Sequence, residues 1–210
     1  MTADWATDLE RDAPDIVAAW RGIEAGLFVS VRREIRRRAG AYSADGSLVQ
    51  LEATAAALID LVDDLPDDAF ALPGGESDWT VAEAIGHAAA ARAGLVMAGA
   101  LAACGRWPAD APVVVPSVPG PAHVDRAELV RKIAQSQRIV ARSAHQIAGH
   151  ETDRCPLDHP LVGRLRCGEW LLFAGVHDVM HLEQLHGIAD ALAAAGGATA
   201  TKRSTSGFVG

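Results

Sequence analysis

Two histidines one helical turn apart, His177 and His181, are the residues of this chain best placed to do chemistry together. At about 100° per residue, an i, i+4 pair lies on one helix face with both imidazoles pointing the same way. One helix supplies two ligands to a single metal ion in this way. The stripe reads Trp170, Phe173, His177, His181, Gln184 and Ile188, so two polar rings stand in a row that is otherwise core. Burying a neutral imidazole costs free energy unless it finds a partner, and one shared ion serves both rings. Bonding of each ring to an unrelated group is the competing reading.

The third ligand must come from another helix, and His87 is the candidate, one turn after Glu83 in a segment rich in small residues. Glu83 is expected to accept the other ring N–H of His87, although a capping role competes for its carboxylate. Gln184 continues the ligand face and is expected to bond a metal-bound water. Between His177 and His181 there is no glutamate, so the zinc-protease pattern H-E-x-x-H is absent. Asp178 points about a quarter turn away and reads as a solvated or interface residue. Glu169 reads as a helix-start residue, favoured by the positive end of the dipole. His159, in the loop before the last helix, is the candidate for an additional site residue. His123, His145, His150 and His186 read as surface or satisfied core histidines.

Three neutral imidazoles leave one open position on tetrahedral zinc, or three on an octahedral ion such as nickel, iron or manganese. An ion held this way can lower the pKa of a thiol, giving a transferase, or of water, giving a hydrolase or lyase. A structural ion in a non-catalytic stress or partner-binding protein is the third reading, and a fourth protein ligand such as His159 would favour it.

The elements that must position these residues are helical. Apolar periodicity predicts helices over 12–39, 47–65, 80–104, 125–149 and 168–195, and no segment alternates convincingly like a strand. Thr80 and Glu83 form a capping box with Trp79 at the staple position, and Asp125 with Glu128 is a second cap pair. The connection 105–123 carries Pro108, Pro112, Pro116, Pro119 and Pro121; it cannot be helix, and fits either an ordered lid or a surface crossover. The expected organisation is an all-α chain: a helical extension over 1–46, a bundle over 47–195 and a disordered tail over 196–210.

Composition narrows the partners. The chain of 210 residues is half apolar and carries a net charge of −8, which disfavours nucleic acid. The basic cluster Arg32, Arg33, Arg36, Arg37 and Arg38 reads as a solvated helix face. No apolar run looks long enough to cross a bilayer and the start lacks a signal-peptide pattern, so a cytoplasmic protein without a membrane partner is expected. Cys104, Cys155 and Cys167, odd in number and without CxxC spacing, read as free thiols. Leu172, Val176, Val179 and Leu182 give the last helix a second apolar face, which suggests a homodimer unless the N-terminal helix covers it.

Two ordered motifs carry a family resemblance. Trp79, Thr80, Glu83 and His87 match W-[ST]-x-x-E-x-x-x-H. His159, Pro160 and Gly163, then Glu169 and Trp170, then His177, His181 and Gln184 match an H-P-x-x-G loop, an E-W helix start and H-x-x-x-H-x-x-Q. This pattern resembles the DinB superfamily over roughly 47–195; the first helix and the length of the proline-rich connection depart from it. The resemblance implies a four-helix bundle of DinB type with a long crossover, often dimeric, holding a divalent metal through His87, His177 and His181. Members include S-transferases using mycothiol or bacillithiol, a mycothiol-dependent maleylpyruvate isomerase and the metal-binding domain of ergothioneine-forming sulfoxide synthases. It therefore favours thiol transfer to a small-molecule electrophile, with mycothiol or bacillithiol as the cofactor thiol.

Overall fold

A computed structural model describes residues 4–23, 28–75 and 78–204, with side chains described as far as 194. Four long helices make the body: α4 (Ala44–Asp64), α5 (Val81–Ala103), α6 (Arg126–Ile147) and α7 (Cys167–Ser204). Each of α4 and α7 packs against α5 or α6 around one apolar core, as a four-helix bundle requires. The all-α reading holds. α7 runs on to Ser204, past the end expected at 195, and 205–210 lie outside the described residues.

Local chemistry sets the helix starts. Thr80 caps α5, its hydroxyl accepting the Glu83 N–H while the Glu83 carboxylate accepts the Thr80 N–H. Asp125 caps α6 through the Glu128 N–H at 2.8 Å. The second cap pair is only half formed, because Glu128 turns its carboxylate to Arg131 and Lys132. Two thirds of the most apolar window of α5 is buried inside the bundle. By length and composition α5 could cross a bilayer, which corrects the expectation that no run was long enough; burial of this kind also marks a core helix.

The single helix expected over 12–39 is instead two, α2 (Pro14–Arg21) and α3 (Phe28–Arg38), and a further helix, α1 (Asp4–Asp12), precedes them. α1 and α2 part at Ala13, which leaves the helical region before Pro14 starts α2 as the sequence indicated, and the expected helix is interrupted after Arg21, where Gly22 is the C-cap. These helices cover α7 and α4. Ile16 presses on Gly175, where a Cβ would lie 2.2 Å from Ile16 Cδ1, and Trp5 stacks on His186 at 4.7 Å. Leu172, Val176, Val179 and Leu182 are consequently buried within the chain. The face that suggested a homodimer is thus closed by the chain's own α2. Nor is the arginine cluster simply solvated: Arg36 pairs with Glu169 at 3.4 Å and Arg38 with Asp15 at 2.7 Å.

An antiparallel hairpin, β1 (Arg154–His159) and β2 (Gly163–Arg166), lies where a loop without strands was expected. Its strands are short and Pro156 interrupts the first, so alternation was too brief to register. The proline-rich connection docks on its edge. Val115 donates its N–H to the Asp158 carbonyl at 2.9 Å, and Asp158 donates to Val113 at 2.7 Å.

Candidate metal centre

His87 projects from α5, and His177 and His181 from α7, toward one point. One ring nitrogen of each lies within 4.8 Å of the others, and the ring centroids stand 4.6–5.3 Å apart. The three histidines expected to converge therefore do so.

Hydrogen bonds set the tautomers of two of these rings. His87 donates from Nδ1 to the Val118 carbonyl at 2.7 Å. His181 donates from Nδ1 to Oε1 of Gln184 at 2.9 Å. Each leaves Nε2 with a free lone pair, as a metal ligand needs. His177 Nδ1 is buried without a hydrogen-bond partner, so no hydrogen bond fixes the tautomer of that ring. Burial pushes His181 down to about 4 and holds His177 well below the usual imidazole value, with the neighbouring histidines adding to the shift at His177. Both rings are thus neutral at pH 7, so the donor set fits a divalent ion.

Several sequence expectations need correction. Glu83 does not serve the His87 ring: its carboxylate is held by the Thr80 N–H and hydroxyl in the capping box, and the Val118 carbonyl takes the place assigned to it. Gln184 is used at both ends, accepting from His181 and donating to the Gly74 carbonyl, so it orients a ligand ring instead of reaching for water. Asp178 is fully buried, pairs with Arg92 at 3.0 Å and accepts the Thr54 hydroxyl at 2.7 Å. Its periodicity gave no sign of this, because Arg92 lies on a different helix. Glu169 does stand in the first turn of α7, accepting the Arg166 N–H at 2.8 Å.

His159 is outside the three-histidine cluster among the described residues. It lies edge-on to Phe173 at 4.7 Å, and its Nδ1 accepts the Leu161 N–H at 3.2 Å, which leaves the proton on Nε2. Burial lowers its pKa to about 4. It shares with the triad the wall of a cavity of about 670 Å³. The connection expected to be a lid or a crossover walls this cavity, from Trp107 to Val118.

Gly86 and Gly120, missed in the sequence, position that connection. A Cβ on Gly120 would lie 2.6 Å from Gly86 Cα, and the Gly120 N–H donates to the Glu83 carbonyl at 3.0 Å. The contact brings Val118 to His87. A glycine inside an otherwise regular helix, one residue before a ligand, was the available signal.

The family model of the DinB superfamily matches residues 50–185. The chain belongs to the DinB superfamily. The match contains all three histidines and the four bundle helices in whole or part, and leaves α1–α3 outside. Neither a curated protein nor a solved structure gives a match. Within this DinB chain, the residues compatible with a divalent metal are thus His87, His177 and His181.

Proposed function

We propose that this DinB protein is a divalent-metal-dependent S-transferase that joins a low-molecular-weight thiol, such as mycothiol or bacillithiol, to a small electrophile. The observation that carries the reading is the composition of the cavity wall. Three histidines converge at it, and it holds no aspartate or glutamate among the described residues. An ion bound by His87, His177 and His181 supplies positive charge that acidifies a thiol or a water molecule.

Ionising water starts from a pKa near 15.7, and hydrolytic sites commonly add a general base. A thiol starts near 8.5 and needs no base beyond solvent. His159 is poorly suited to be that base: Nδ1 is engaged, Nε2 carries the proton, and burial holds its pKa to about 4. In the transfer the thiol proton leaves to solvent and the S–C bond forms. The bond to the leaving group breaks with its electron pair on that group. Val118 and Gln184 hold two ligand rings in register throughout.

The test incubates zinc-loaded protein with mycothiol, bacillithiol or another small thiol and monobromobimane. Conjugation above the uncatalysed rate, abolished in His177→Ala, is expected. No excess conjugation with any of these thiols sinks the proposal, and hydrolysis of a neutral ester under the same conditions would put a hydrolase in its place.

A further inference from the structure

The cavity runs along one face of α5. His87, Ala90, Ala91, Gly94, Ala98 and Leu101 line it at helical spacing. From His87 to Leu101 the rise is about 21 Å at 1.5 Å per residue, so the space is long and begins at a ligand of the triad. Small side chains keep it open: a Cβ built on Gly94 meets nothing within 4 Å.

The wall carries no Lys, Arg, Asp or Glu among the described residues. Its polar side chains are few, and the main ones are already engaged, Gln184 at both amide ends and His159 at Nδ1. Met97, Val118 and Leu161 are exposed large hydrophobics, and all three also line the cavity. Apolar surface therefore extends to its mouth. A charged group along this wall would lose water and gain no counter-ion, whereas a hydrocarbon would bury its surface at both wall and mouth.

We infer that the site takes an elongated, uncharged, hydrocarbon substrate body lying along α5 past Gly94, with only its reactive head at the histidines. This rests on the three histidines holding a metal, as proposed above, and adds the class of body the electrophile carries. A hydrocarbon chain and a fused or linked ring system share this chemistry, and a linear series distinguishes them from a charged body. The body is selected by the wall and the head by the triad, so the two can be varied separately.

Hydroxamates bind a divalent metal whether the natural nucleophile is a thiol or water, which makes them probes independent of the reaction. Zinc-loaded protein is titrated calorimetrically with acetohydroxamate, its longer straight-chain homologues, and homologues ending in a carboxylate. Affinity should rise about fourfold per methylene as the chain extends along the wall past Gly94, and a terminal carboxylate should weaken binding at least tenfold at matched length. Gly94→Leu should keep acetohydroxamate binding and end the rise where the chain reaches position 94, short of the wild-type limit. The substitution replaces a helix-interior glycine by a better helix former, and its melting temperature is measured alongside.

A flat response to chain length overturns the inference. Equal binding of the carboxylate series, or a folded Gly94→Leu protein with the wild-type slope, does so as well. If conjugation fails with every thiol while the methylene slope holds, the transferase reading falls and the substrate body stands.

Discussion

Arg92 and Asp178 form an ion pair, Nε to Oδ2 at 3.0 Å, with both side chains fully buried at the centre of the bundle. Arg92 also donates to the Leu51 carbonyl at 2.7 Å and the Ser136 hydroxyl at 3.3 Å, while Thr54 donates to Asp178. Residues of α4, α5, α6 and α7 thus meet at one polar point, and Asp178 adjoins the ligand His177. Arg92→Met should destabilise the protein by roughly 3–5 kcal/mol, because it strands a buried carboxylate. Arg92→Met with Asp178→Leu should cost less than Arg92→Met alone. Urea denaturation of these two variants and of Asp178→Leu alone measures the coupling, and simple additivity of the two single losses would contradict the pairing.

Gly120 sets the Val118 carbonyl against His87 through its contact with Gly86. Both atoms nearest a new Cβ there, the Glu83 carbonyl oxygen and Gly86 Cα at 2.6 Å, are backbone and cannot rotate aside. Gly120→Ala should therefore displace the connection and weaken zinc binding about 10- to 100-fold, the usual cost of losing a ligand's outer partner. Competition with a fluorescent chelator reads this. Unchanged affinity would separate Val118 from the metal centre.

Gln184 bridges His181 to the loop before α5. Gln184→Leu keeps the volume roughly but removes the acceptor for His181 Nδ1. Zinc affinity should drop about tenfold or more, whereas Gln184→Glu, which keeps an acceptor, should retain most of it. Equal losses in both variants would mean that the Gly74 bond, not the histidine bond, is what matters.

His159 gives a pH signature. Its folded pKa is held to about 4 by burial, below the ordinary value of 6.5. Between those values the unfolded chain binds more protons, so stability rises with pH across the window. The contribution is fully present above 6.5 and is lost as pH falls toward about 4. In metal-free protein, His159→Phe should flatten the fall in melting temperature between pH 6.5 and pH 4. A variant with the wild-type pH profile would show that His159 is not held neutral by the fold.

The ligand triad could be read in the chain because its signal is local: spacing on α7, and a capped α5 carrying His87 one turn beyond Glu83. The partners of those rings could not. Val118 acts through its carbonyl, which any residue possesses, and Gln184 has enough reach to serve either a ring or a water. Asp178 looked solvated because its cation, Arg92, comes from another helix and is distant in sequence. The N-terminal segment shows the same limit. Apolar spacing over 12–39 was real, yet α2 ends at Arg21 with Gly22 as its C-cap, and packing on α7 determined which face was buried. Periodicity reports burial well and reports the neighbour poorly.

The central claim is that His87, His177 and His181 together hold one divalent ion. Elemental analysis of protein purified without a chelating tag, followed by zinc titration of the stripped protein, tests it most directly. One ion per chain is expected in the wild type, restored on titration, with loss of that site in His177→Ala and the helical circular dichroism preserved. A wild-type protein that carries no divalent metal and takes up none, or a His177→Ala protein that binds zinc as tightly, would contradict it.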